Sequence, residues 1–551
     1  MEEQKRLLIA ITLVLIIMVV YSFLFQPQRK PVGPEIEKEK RGVIIEKEEI
    51  IPEEVIPEEV IVSHGTKTPL YTEKDSIKTP LMQVVLSKQG GCIKDLYLTQ
   101  EGLSKDKAGF HLLSSITPLE GSLLIKEFNG VPISNVIYKK EEFFDNKVVY
   151  SCILDDKIKI TKTFIFHNSN YSIDLQIKFT NLTNADRILS YTLIGASRIN
   201  REGYLDRRFT NGGAYVEDRL QWQHLPKEPE KHVEILGNIQ WLILRDSHYS
   251  AIIRPHHKIT QAFIVGLSQE KKKDINWATG LMIDKTVLPS RSSITHEYTF
   301  YAGPTTRKDL ILLNLEEATH YGKLNIICQI LIRTLNFFYS LFQNYGIAII
   351  MLVALINVFT YPLTLKNIKA TRQLQAIQPH IARLREIHKD DHHKLQIEIM
   401  KLYREHNANP LGGCLPMLIQ APIFIALYIT LARSAELKGS NFLWIKDLSK
   451  PDTLAKLPFN INIPFLGDSF NLLPIIMVFA MIVQQKIITG TRKTNEADSY
   501  AQQQQKMVLF MPIFFGILLY NLPSGLILYW TVNTIFMAAM HYVIQRRLSS
   551  S

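Results

Sequence analysis

The sequence predicts a polytopic α-helical membrane protein, with about six spans and a core of five, joined to an all-β sandwich outside the membrane. Three observations predict it. Several apolar runs approach the roughly 20 residues that a spanning helix needs. A long middle region repeats its apolar residues at every second position, and Lys and Arg gather on alternate connections between the runs. The 551 residues are 46% hydrophobic yet 21% charged, with a net charge of +11. That balance averages an oily part and a charged soluble part.

The first run, Leu7 to Phe25, follows Lys5 and Arg6. It ends in Tyr21-Ser22-Phe23-Leu24-Phe25, bulky residues where a cleavable signal needs small ones, so residues 1–26 read as an uncleaved anchor with a cytoplasmic N-terminus. Residues 27–62 hold Pro27, Pro31, Pro34, Pro52 and Pro57 and the repeat IPEEVIPEEV. This composition cannot bury a core and reads as an extended tether.

Residues 63–321 read as the sandwich. In YSIDLQIKFT, Ile173, Leu175, Ile177 and Phe179 alternate with Ser172, Asp174, Gln176 and Lys178, one set for each sheet face. KIKITKTFIF at Lys157 to Phe166 behaves similarly, and Asn, Gly, Asp and Pro separate many such segments, as in an antiparallel sandwich. His256 and His257 are adjacent, with His224, His232 and His248 upstream, but the spacing matches neither a helical metal pair nor a nucleophile elbow. They are expected to be scattered surface residues. Cys92 and Cys152 fall in this oxidising region, and spacing does not say whether they meet.

Residues 322–344 come next. Ile327, Leu331, Leu335, Phe338 and Phe342 recur at helical spacing, interrupted by Gln329, Arg333 and Asn336. An interfacial helix on the outer leaflet accounts for both the stripe and the arginine.

Residues 345–551 supply the membrane core, with spans at Gly346–Leu363, Leu415–Leu437, Leu472–Thr489, Met507–Leu522 and Ser524–Ile544. Between the first two, residues 366–409 carry a surplus of Lys and Arg, which fixes them inside the cell. Leu374, Ile377, Ile381 and Leu384 face Leu395, Ile399 and Leu402 if two helices fold back at HKDDHHK. Asp390, Asp391, His392 and His393 there read as exposed turn residues rather than metal ligands. The same basic surface would suit anionic lipid or ribosomal RNA.

The spans hold no ATP-binding loop, no metal-ligand helix, no acidic pair for proton relay and no clear inverted repeat, so energy-driven pumping has no support. No cofactor is expected. They do hold Asn357, Gln420, Thr531 and Asn533 at membrane depth, beside the apolar Met417, Ile423, Leu427, Pro512 and Phe515. Each polar residue alone is ordinary helix-to-helix glue.

Five blocks change the reading of the set: YPLT at Tyr361–Thr364, QP at Gln378–Pro379, NPLGGCLPMLIQAPIFIALY at Asn409–Tyr428, MP at Met511–Pro512 and LPSGLILYW at Leu522–Trp530. In order and spacing they resemble YidC, the bacterial membrane-protein insertases of the Oxa family. The resemblance runs residue by residue over about Leu324 to Arg547, and by layout elsewhere. It implies an inner-membrane protein with a large periplasmic β-sandwich, of a type that includes sugar-binding enzymes, although fold alone does not transfer that activity. It implies no covalent catalysis but a hydrated groove open to cytoplasm and lipid, here lined by Asn357, Gln420, Trp530, Thr531 and Asn533. An apolar slide would follow at Met417, Ile423, Leu427, Pro512 and Phe515.

Nascent membrane proteins, the Sec translocon, the ribosome and membrane lipids are the implied partners, with Arg372, Arg383, Arg385, Lys394 and Arg404 as contacts on the cytoplasmic hairpin. One departure stands out. Asn357 occupies the position where YidC-like proteins typically carry an arginine, so Asn357→Arg is expected to favour substrates with acidic tails. A small-solute transporter and an envelope assembly scaffold are the competing readings.

Overall fold

The computed structural model describes residues 74–99, 110–115, 120–200, 209–267, 275–388, 391–406, 415–456, 469–489 and 510–549. The expected anchor and tether lie outside these residues, as do Cys414 and the Arg492–Lys506 loop.

The first sheet is a four-stranded meander of β1 (Lys74–Lys78), β2 (Met82–Ser87), β3 (Cys92–Leu98) and β4 (Phe110–Leu113). Next come β5 (Ile125–Phe128), β6 (Val131–Pro132), β7 (Lys139–Phe144), β8 (Lys147–Leu154), β9 (Ile158–Phe166), β10 (Ser172–Asn181) and β11 (Arg187–Ser197). The remaining sandwich strands are β12 (Asn211–Val216), β13 (Arg219–Gln223), β14 (His232–Leu236), β15 (Ile239–Arg245), β16 (Tyr249–Pro255), β17 (Gln261–Leu267), β18 (Asn276–Leu288) and β19 (Ser293–Pro304). A nine-stranded sheet runs β13-β12-β15-β16-β19-β10-β9-β8-β7, and a six-stranded sheet runs β14-β17-β18-β11-β5-β6. Every strand pairing is antiparallel, as short hairpin connections allow.

The period-two pattern sets the core. Ile173, Leu175, Ile177 and Phe179 of β10 are all fully buried, and the intervening Lys178 is exposed. On β9 the inward positions are Ile158, Ile160, Lys162, Phe164 and Phe166, so strand geometry drives a lysine into the core. Lys162 Nζ donates to the carbonyls of Gly91 at 2.5 Å and Leu123 at 2.6 Å, with a longer bond to Gly90 at 3.4 Å. Gly90 and Gly91 both have positive φ, +74° and +50°, which turns their carbonyls towards the ammonium at little steric cost. The rings of Tyr138 and Phe164 face Nζ at 5.7 and 5.5 Å. Burial pushes the Lys162 ammonium down to about 8, against the opposing pull of Cys92 and Cys152. Both cysteines are free, buried thiols, pushed up to about 11 by burial.

After the sandwich come α1 (Arg307–Ile311), α2 (Asn325–Phe342), α3 (Tyr345–Ile387), α4 (His392–Glu405), α5 (Leu415–Arg433), α6 (Leu472–Thr489), a helix α7 over 510–518, and α8 (Ser524–Ser549). Among the described residues, those at 322–342, 345–387 and 524–544 are long and apolar enough to cross a membrane, and 420–433 and 472–488 form shorter apolar helices. On α2, Leu331 and Leu335 are buried as their spacing predicts, together with Cys328 and Ile332. Its outer face is apolar as well: Ile326, Ile330, Phe337 and Leu341 are exposed, with the exposed Arg333 among them. A face of that kind suits lipid, with the arginine head reaching for the headgroups.

The sandwich and the helices meet at cationic side chains. Arg245 of β15 donates to the carbonyls of Ala318 at 2.6 Å and His320 at 3.1 Å while stacking on Trp222 at 3.9 Å. Arg433, the last residue of α5, reaches the same His320 carbonyl at 3.5 Å and lies over Tyr321. Lys438 rests 4.2 Å from the Phe110 ring and 4.4 Å from Tyr249. These contacts combine cation–π attraction with hydrogen bonds to carbonyls.

Candidate functional site

The membrane site is built where α3, α5, α7 and α8 approach one another. Asn357 lies one turn before Tyr361 on α3, and its Nδ2 donates to its own helix at Val353 O and across to Asn533 Oδ1 of α8, both at 2.9 Å. It is 5% exposed. The amide therefore joins two helices. Gln420 of α5 donates from Nε2 to the Tyr529 hydroxyl of α8 at 2.9 Å. Thr531 bonds its own helix at Ile527 O, 2.7 Å away, and is buried, so it contributes a satisfied wall rather than a free donor.

Trp530 stands half-buried between Phe424 of α5, edge to face at 4.7 Å, and Phe515 of α7, tilted at 5.8 Å. Trp530 directly follows Tyr529, the partner of Gln420, on α8. The expected apolar slide divides. Ile423 and Phe515 are half-buried, whereas Leu427 and Pro512 are buried. The Met417 side chain lies outside the described residues.

At the outer end the connection between α5 and α6 bonds to the start of α8. Lys450 and Leu448 carbonyls accept from Ser524 N and Gly525 N, both at 2.8 Å, covering the start of α8. Asp452 accepts from Leu473 N at 2.7 Å and Trp444 Nε1 at 3.2 Å, and its burial raises its pKa despite these bonds. In front of α6, Asn471 donates from its backbone N to the Tyr520 hydroxyl at 2.8 Å and from Nδ2 to the Tyr520 carbonyl at 2.9 Å.

On the cytoplasmic side α3 continues unbroken from the span into the hairpin, through Pro362 and Pro379. Ile377 and Ile381 pack with Leu374, Ile399, Leu402 and Tyr403 to hold α3 against α4, and Asp391 caps α4 through Lys394 N. Arg383, Arg385, Lys394 and Arg404 are exposed on it, and Arg372 is half-buried. A shallow groove on α4 is lined by His393, Gln396, Ile397, Met400, Lys401 and Arg404.

The sandwich holds a second polar cluster, and here the expectation of scattered surface histidines, which holds for the exposed His224, His232 and His256, is corrected for His257 and His248. His257 stacks on His296 at 4.3 Å, His296 Nδ1 meets the Tyr191 hydroxyl at 2.7 Å, and Tyr191 meets Tyr298 at 2.6 Å. His296 shares the core face of β19 with Tyr298, two positions along the strand, which is the signal that adjacency of His256 and His257 did not give. His248 is buried too. Among the described residues no three His, Cys, Asp or Glu side chains are grouped to hold a metal ion.

Burial, with His296 and His256 beside it, pushes His257 down from 6.5 to about 4. The unfolded chain therefore takes up a proton between those values that the folded chain refuses, and stability falls as pH falls through that window. Thermal unfolding of the full chain should show a lower midpoint at about pH 4.5 than at about pH 7, and His257→Gln should flatten the difference. An unchanged slope in that variant would remove His257 as its cause.

The sequence pattern of the "60Kd inner membrane protein" family matches residues 337–551, and that of the "YidC periplasmic domain" matches residues 75–334. A membrane protein insertase YidC from Geotalea uraniireducens is 30% identical over 572 residues, covering 99% of this chain and all of that one. Another from Pelobacter propionicus is 28% identical, covering 98% and 99%. Among solved structures, a galactose mutarotase related enzyme from Lactobacillus acidophilus covers 42% of this chain and 97% of its own at 13% identity, with a TM-score of 0.30. A likeness that slight carries no activity across.

Proposed function

The chain belongs to the YidC family of membrane protein insertases, proteins of the bacterial inner membrane, and from that premise we propose that it passes the polar tail of a nascent membrane protein through a hydrated recess that forms as the Asn357–Asn533 and Gln420–Tyr529 pairs part. The recess opens to the cytoplasm and to lipid, and the chain acts alone or with the Sec translocon. The observation that carries this reading is the amide bond from Asn357 to Asn533, a polar contact between spans that a passing backbone can replace in kind. A charged residue at the bilayer centre costs about 2.5–3.5 kcal/mol on insertion scales, and each 1.36 kcal/mol removed from a barrier is about tenfold in rate. Swapping hydrogen bonds with amides lowers that cost without covalent chemistry. The substrate's apolar segment then leaves past Phe424, Trp530, Phe515 and Ile423 into lipid, and its downhill partitioning supplies the drive.

The division of labour follows the chain: residues 1–26 anchor, 27–62 tether, 63–321 form the periplasmic sandwich, 322–344 an interfacial helix, and 345–551 the insertase core. The hairpin at 366–409 meets the ribosome and the translocon through Arg372, Arg383, Arg385, Lys394 and Arg404, while anionic lipid shares its basic surface.

The test uses purified full-length protein in sealed liposomes and asks whether a short-tailed single-span substrate becomes protected from protease. Protection should exceed that of empty liposomes. The double substitution Asn357→Leu/Asn533→Leu keeps the helix contact but removes the amides, and should slow a polar-tailed substrate by about tenfold while sparing an apolar tail. Equal slowing of both would assign the pair to packing alone.

A further inference from the structure

The sandwich ends in a short, rigid turn that presents bare aliphatic side chains. Leu312 is 73% exposed and Ile311 is 44% exposed, immediately after the exposed Arg307 and Lys308 of α1. The turn has no local freedom to hide them. Thr306 caps α1 through Asp309 N, Leu310 is fully buried in the sandwich core, and the Leu313 carbonyl accepts from Arg254 Nη1 at 2.8 Å. Leu315 and Ala318 then return to the core.

The position of this turn is fixed from the membrane side as well. The Ala318 and His320 carbonyls that follow it are gripped by Arg245, and His320 is gripped again by Arg433 at the outer end of α5. A few residues on, α2 begins with the exposed Lys323 nearby and shows its apolar stripe of Ile326, Ile330, Phe337 and Leu341. Aliphatic side chains beside basic ones thus recur on both sides of a junction pinned to the end of a membrane helix. That combination matches a phospholipid surface, where acyl chains take the aliphatics and phosphates meet Lys and Arg.

We propose that the sandwich is seated directly on the outer leaflet through Ile311 and Leu312, with Arg307 and Lys308 at lipid phosphates, as an extension of the surface made by α2. The inference rests on the reading of α2 as an interfacial helix. It makes the junction a second point of lipid contact, added to the hold that Arg433 and Lys438 already give the sandwich over the core.

Spin labels placed in the full chain, reconstituted in liposomes with and without anionic lipid, test this. The positions are Leu312→Cys, Ile326→Cys on α2, and Val131→Cys on β6, all in a Cys414→Ser background, since Cys92, Cys152 and Cys328 are buried. Collision with oxygen, which concentrates in lipid, should exceed collision with a water-soluble nickel chelate several-fold at positions 312 and 326, and the order should reverse at 131. Adding Arg307→Gln and Lys308→Gln should abolish any dependence of the position-312 ratio on anionic lipid. A label at 312 in water while 326 lies in lipid overturns the inference alone, and water at both overturns the reading of α2 with it. An immobilised label at 312 shielded from both reagents would mean a protein covers the turn, which also overturns the proposal.

Discussion

Asn357→Arg is expected to destabilise the membrane core and to slow acidic and neutral tails alike, opposite to what the sequence pattern alone suggests. The position is closed: Asn357 is 5% exposed and its amide is committed to Asn533. An arginine there must push α3 from α8 or leave a cation unpaired at membrane depth, at a cost of about 2.5–3.5 kcal/mol. Thermal unfolding in detergent should show a clear loss for the single variant. Asn357→Arg/Asn533→Asp supplies a counter-charge across the same contact and should recover most of it. If the single variant unfolds like the wild type and speeds only acidic tails, Asn357 borders open water and the amide pair is dispensable.

Lys162→Met should cost the sandwich about as much by another route. Methionine fills a similar volume but leaves the Gly90, Gly91 and Leu123 carbonyls without their donor, at about 1–3 kcal/mol for each orphaned acceptor. Relief of the lysine's desolvation offsets part of this, and the balance is a loss on the order of a few kcal/mol. A pH series separates the two effects. Between about 8 and 10.5 the unfolded chain holds a proton that folded Lys162 has released, so the wild type gains stability over that window relative to the variant. A constant difference between them at all pH values would show that Lys162 is not the titrating group.

Much of this was legible in the sequence for identifiable reasons. The alternation at Ile173 to Phe179 gave the face of β10 because a strand has only two faces to choose from. Leu472–Thr489 is a helix over the limits its apolar run marks, since hydrocarbon length and the first breaking residues set both ends. The five blocks placed the polar residues in one region, but sequence alone could not say which of them face each other. Asn357 looked like a free groove donor and is instead closed by Asn533, a residue 176 positions away. Leu427 read as a sliding surface because apolarity does not distinguish lipid from a neighbouring helix. Lys162 was readable in principle, as the one charged residue on the inward register of KIKITKTFIF. His296 was hidden because its partners His257 and Tyr191 come from other strands or loops.

The uninterrupted course of α3 has a mechanical consequence. From Tyr345 to Ile387 it is one helix of 43 residues, with Pro362 at the cytoplasmic mouth of the span and Pro379 within the hairpin. At 1.5 Å per residue the part beyond Pro362 is a lever arm of about 38 Å. Proline removes a backbone hydrogen bond and clashes with the preceding turn, which makes its position the softest bending point of such a rod. A partner that tilts the hairpin by about 10° moves its tip by about 6–7 Å, while a fulcrum at Pro362 bends within about two turns of Asn357. A load placed on the far end of the hairpin would therefore bend α3 beside the amide pair, with no ligand needing to reach into the membrane.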